Sequence, residues 1–67
     1  MTIDEARAFL ADVQVAADDG DDEAAHSIRD QLWAAVLREV AAGNYDGVAL
    51  AQIAIDTEKI TFGRWCA

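Results

Sequence analysis

The residues best suited to chemistry lie between Asp18 and Asp30. His26 is the only histidine in the 67 residues, and Asp22 and Asp30 stand four positions to either side, one helical turn away in each direction. Two carboxylates at that spacing can approach one imidazole, as in a charge pair or part of a divalent-metal site. No second His or Cys lies nearby in sequence to complete a zinc set, so the charge pair is the expectation. Just before it, Asp18, Asp19, Asp21, Asp22 and Glu23 crowd around Gly20. Calcium loops place oxygen ligands at alternate positions ahead of a distal Glu. This run does not, and it reads as a solvated turn that caps the following helix. Ser27 adjoins His26, but successive helical residues diverge, and no Gly-rich phosphate loop exists. Catalytic residues, cofactors and metals are all expected to be none, and the chain is not expected to be an enzyme.

Charge narrows the partners. Thirteen acidic against five basic residues give a formal net charge of −8. Residues 1–30 hold nine of the carboxylates against Arg7 and Arg29, a net of −7, and residues 31–67 carry only −1. Such a field repels nucleic acid and anionic membranes and favours basic surfaces. Cys66 is the single cysteine; no internal disulfide can form, which leaves an ordinary thiol in a reducing compartment or a link between subunits. MTIDEARAF has neither the basic nor the apolar region of a signal peptide, and no apolar run reaches membrane-spanning length. The expected location is the cytoplasm.

The elements that position these residues are helical. Thr2 and Glu5 form a T-x-x-E capping box, and Ile3, Ala6, Phe9, Leu10, Val13 and Ala17 follow on one face, with Phe9 as core anchor. Asp21 or Asp22 opens a second helix that Gly43 can end in left-handed conformation. Along it Ala25, Ile28, Leu32, Trp33, Ala35, Val36, Leu37 and Val40 make an apolar arc wide enough for two neighbours. Arg29 interrupts that arc. An unpaired guanidinium there would cost several kcal/mol, so the arc is exposed at Arg29 or the side chain pairs with a carboxylate.

Asp46 can cap a third helix with two apolar faces, one of Leu50, Ile53, Ala54 and Thr57, the other of Val48, Ala51 and Ile55. Two faces imply cover on both sides, by the core and tail or across a subunit boundary. Ile60 and Phe62 alternate across Thr61. The expected fold is one domain, residues 1–67, an all-α three-helix bundle (about 2–18, 22–42 and 46–57). A short C-terminal arm or helical turn would dock through Trp65 on the bundle or a partner.

The capped acidic first helix, the D-D-E-A-A-H start of the second and the R-W-C-A tail together resemble small acidic helical proteins of actinobacteria and their phages, whose activities are not known. The resemblance implies a protein acting on a host factor. The residues themselves imply a small interaction module that binds itself, a basic surface of a host protein, or both, at the limit as a nucleic-acid mimic. Asp18, Asp19, Asp21, Asp22, Glu23, His26, Arg29, Val48, Ile55 and Trp65 are the candidate contact residues. The alternative is a degenerate helix-turn-helix over residues 48–65: Leu50–Ile55 followed by Asp56–Trp65 looks like its two helices. Only Lys59 and Arg64 in the second could meet phosphates, and nucleic acid is therefore the disfavoured partner.

Overall fold

The computed structural model describes residues 1–62, and Trp65 lies outside them. It is an all-α three-helix bundle: α1 (Ile3–Asp18), α2 (Asp22–Ala41) and α3 (Gly47–Asp56), with contacts between every pair of helices. The capping box forms as the sequence implies. Thr2 Oγ1 accepts from Glu5 N at 3.1 Å while Thr2 N donates to the Glu5 carboxylate at 2.8 Å, which satisfies donors that a helix start leaves unpaired. Among the described residues Gly20 and Gly43 are the two at positive φ, +73° and +79°. Each lets the chain reverse just past a helix where a Cβ would be strained. Between them Asp21 caps α2 by accepting from Ala24 N at 3.1 Å.

Asp46 occupies the position before α3, but its side chain makes no capping bond. The turn is held instead by Asn44, whose Oδ1 accepts from Asp46 N at 2.7 Å, an Asx-type turn that takes over the local role assigned to the cap.

Helix length decides how the core is divided. Helices α1 and α2 have 16 and 20 residues, whereas α3 has 10, too few to cover the groove between them. Ala6, Leu32, Val36, Leu50, Ile53 and Ala54 form one cluster where all three helices meet. Nearer the α1–α2 turn, Val13, Ala16 and Ala25 form a second cluster that Ile60 completes, with Phe62 packed against it. The chain reaches that place through a single 3-10 turn, Thr57–Lys59, and becomes extended at Ile60, φ −87° and ψ 122°. Arm and helical turn are thus both present, in sequence. The alternation holds too: Ile60 is buried, Thr61 exposed and Phe62 half-buried.

Two expectations about packing are corrected. Phe9 is only partly buried, and the largest fully enclosed side chains among the described residues are Leu32, Leu50, Val13 and Thr57. Leu37 and Val40, placed on the buried arc of α2, are 68 % and 46 % exposed. At 100° per residue Leu37 stands about 140° round from Leu32, and the slim α3 does not reach that far.

Candidate functional site

Along α3 the two apolar faces have different fates. Leu50, Ile53, Ala54 and Thr57 are buried, while Val48 is 89 % and Ile55 54 % exposed. Across a shallow groove from Ile55 lie Trp33, Val36 and Leu37 of α2, with Ala51, Ala54 and Glu58 completing its lining. A second depression, lined by Val40, Asn44, Tyr45, Gly47 and Val48, shares Ala51 with the first, so the two run together as one α2–α3 face. Of the six large hydrophobic residues exposed among the described residues, Leu37, Val40, Tyr45, Val48 and Ile55 belong to this face and only Val15 does not. Glu58 is the one carboxylate lining it.

Trp33 forms the fixed wall of the groove. Its Nε1 donates to the Ala54 carbonyl and to Thr57 Oγ1, both at 3.0 Å, and Thr57 Oγ1 donates to the same carbonyl at 2.7 Å. A fully buried hydroxyl is satisfied by this arrangement, and the indole is tied to the C-terminal end of α3.

Above Trp33 sits Arg29. Its guanidinium lies 4.7 Å from the Trp33 ring centroid and 5.4 Å from that of Phe62, so the charge that interrupts the apolar arc is held by two aromatic faces. Nη2 donates to His26 Nδ1 at 3.0 Å and lies 3.6 Å from Asp30, while Nε is buried without a hydrogen-bond partner. A guanidinium only donates, so in the neutral ring Nδ1 of His26 accepts and Nε2 carries the proton, directed at Asp30 Oδ2 3.2 Å away. Asp30 provides the expected carboxylate; among the described residues no ion pair joins Asp22 to the imidazole.

At the α1–α2 turn Asp18, Asp19, Asp21 and Glu23 are exposed and Asp22 is half-buried. Asp18 accepts from Gln14 at 2.8 Å, and Asp21 is occupied as the cap. Among the described residues no group of three or more His, Cys, Asp or Glu is arranged to hold a metal ion and no helix is long and apolar enough to cross a membrane.

At the far end of the bundle the Met1 ammonium pairs with Glu39, which also accepts from Asn44 Nδ2 at 3.3 Å. The hydrogen bond from the ammonium holds the Glu39 carboxyl below its ordinary range, and the same bond raises the Met1 amine. Asp56 is lowered by hydrogen bonds from Gln52 first and Lys59 second.

The candidate residues therefore fall into two groups. Asp18 to Glu23, His26 and Arg29 lie toward the α1–α2 turn, and Val48 and Ile55 on the α2–α3 face. Leu37, Val40 and Tyr45 complete that face without having been singled out. Tyr45 carried a legible signal as an aromatic inside the polar turn Asn44–Gly47. Residues 50–56 lie in α3, and beyond Asp56 the chain makes the 3-10 turn Thr57–Lys59 and is extended at Ile60, while residues 63–65 of the helix-turn-helix reading lie outside the described residues. The chain matches no protein family, and neither curated proteins nor solved structures gave a match.

Proposed function

We propose that the chain is a non-enzymatic interaction module whose α2–α3 face docks an apolar protein surface. The observation that carries this reading is the gathering of Leu37, Val40, Tyr45, Val48 and Ile55 on one face, with Trp33 as its anchored wall. Single exposed hydrophobics are ordinary on any protein, whereas a contiguous set is characteristic of association surfaces. Aromatic side chains at such a surface contribute most per residue, which makes Tyr45 its foremost contact. The acidic turn offers charge but no apolar area, and long-range attraction alone steers encounter more than it fixes a complex.

Adding 15N-labelled chain to extract of its source cell tests the reading by amide intensity. Loss of signal centred on Leu37, Tyr45, Val48 and Ile55 is the expected result. Loss confined to Asp18–Glu23 overturns it in favour of a basic partner at the acidic turn.

A further inference from the structure

We infer that the occupant of the α2–α3 face is a second copy of this chain, packed about a two-fold axis with the two α3 helices antiparallel. This deepens the docking reading and rests on it.

The core supplies the first argument. Among the described residues, four of the ten buried hydrophobic residues are alanines and no aromatic side chain is fully buried. A chain of this size is at the lower limit of what one core can stabilise, yet Tyr45, Val48, Leu37 and Ile55 stay in water. A shortfall that is always present is met by a partner that is always present, which is another copy.

Spacing on α3 supplies the second. Val48, Ala51 and Ile55 follow one another at three and four residues, the repeat of a helix–helix seam. The small residue stands at the middle. Turned antiparallel, Val48 of one copy faces Ile55 of the other, and the axis passes beside Ala51, where the missing bulk lets the backbones approach. That exchange is the self-complementarity a two-fold contact requires.

Area and charge agree with this arrangement. A pair reaches the lower bound of specific interfaces, about 1,200 Å² in total, when the five exposed side chains are almost wholly covered. Two chains of net charge −8 repel, and the face keeps all but Glu58 of the carboxylates out of its lining. An antiparallel pair also places the two acidic turns at opposite ends. Helix α2 alone is about 30 Å long, well beyond the ~8 Å screening length at physiological salt. A basic partner finds little to attract it here, so salt separates the two occupants: screening tightens a like-charged pair and weakens an opposite-charged one.

Sedimentation equilibrium of the purified chain tests the proposal. A dimer whose Kd falls between about 50 and 500 mM NaCl is expected, weakened at least roughly tenfold by Val48→Asp or Ile55→Asp with helical circular dichroism unchanged, since both positions are exposed. In a Cys66→Ser background, Ala51→Cys should oxidise to a linked dimer across the axis. A monomer at high micromolar concentration, a dimer indifferent to both aspartates, or a dimer that Ala51→Cys cannot link each overturns the proposal. Monomeric protein that still loses amide intensity at this face in extract overturns the second copy alone and leaves the docking reading standing.

Discussion

Replacing Thr57 by Val and Trp33 by Phe, singly and together, tests whether the groove wall is tied to α3 as the hydrogen bonds describe. Valine keeps the shape of Thr57, which has no exposed surface, and exchanges its hydroxyl for a methyl group. Two hydrogen bonds disappear, the one given to Ala54 at 2.7 Å and the one taken from Trp33 at 3.0 Å. Each is worth about 1 kcal/mol net, and the added methyl returns about 0.8 kcal/mol. No polar group is orphaned, because Trp33 Nε1 still reaches the Ala54 carbonyl, which also accepts from Thr57 N. The expected cost of Thr57→Val is therefore about 1 kcal/mol. Trp33→Phe removes the donor and part of the ring, for about 2 to 3 kcal/mol. The Trp33–Thr57 bond is lost in both single variants, so the double variant should fall short of their sum by about 1 kcal/mol. Urea unfolding followed by helical circular dichroism, at one fixed protein concentration, measures all three. A coupling below about 0.3 kcal/mol is within ordinary additivity and would refute the tie between the indole and the end of α3.

Arg29 should behave as a stacked side chain more than as an ion. Arg29→Met keeps a long stem against Trp33 and Phe62 and removes a buried Nε without a partner, so a change within about 1 kcal/mol is expected, whereas Arg29→Ala should lose about 2 kcal/mol of packing and cation–π contact; thermal melts in which Met costs as much as Ala would assign the stability to the contacts with His26 and Asp30. Gly43→Ala meets open space but a φ of +79°, and a drop of about 1 kcal/mol by urea titration is expected from that backbone alone. The Met1–Glu39 pair predicts stability that falls at both ends of the pH scale. A carboxyl lowered from its ordinary 4.5 contributes stability that is lost as pH falls through its folded value, and an amine raised above its ordinary 8.0 contributes stability that is lost as pH rises through its own. Glu39→Gln should therefore flatten the acid and alkaline limbs of Tm against pH together; an unchanged alkaline limb would break the assignment to this pair.

What the sequence made legible was whatever depends on neighbours a few residues apart. Thr2 and Glu5 announce the start of α1, Asp21 that of α2, and Gly43 its end, because each device is completed within one turn of chain. The inward face of α3 follows from periodicity in the same way. Asp46 shows the limit even there, since Asn44 competes for the same turn and takes it. Leu37 and Val40 show a different limit. Periodicity marks a residue as apolar and oriented, but its burial depends on the girth and length of whatever packs opposite, and a ten-residue α3 rich in alanine is short and slim. The Trp33–Thr57 bond spans 24 positions, and the Met1–Glu39 pair 38; no local pattern encodes either. Arg29 posed the right question, as a charge on an apolar arc, but the aromatic rings that answer it come from two separate segments.

The brevity of α3 also links the two surfaces that a partner could read. Arg29, Trp33 and Leu37 are spaced four residues apart and so lie in line along one flank of α2. Had α3 run on past Trp33 it would have covered Arg29, whereas Leu37 already lies alongside α3 and is open because it stands about 140° round from the buried Leu32. Helix α3 stops instead beside Trp33. Beyond that point the 3-10 turn carries Ile60 and Phe62 across to cover Arg29 and the second core cluster, while before it Leu37 is left in the open groove. Trp33 belongs to both sides, with one face under the guanidinium and its N–H anchored to the end of α3. Whatever occupies the groove therefore presses on the same indole that supports Arg29. A partner docked as proposed at Leu37 and Ile55 would meet the indole on which Arg29 and, through it, Phe62 are stacked, and Trp33→Phe should weaken both sets of contacts together.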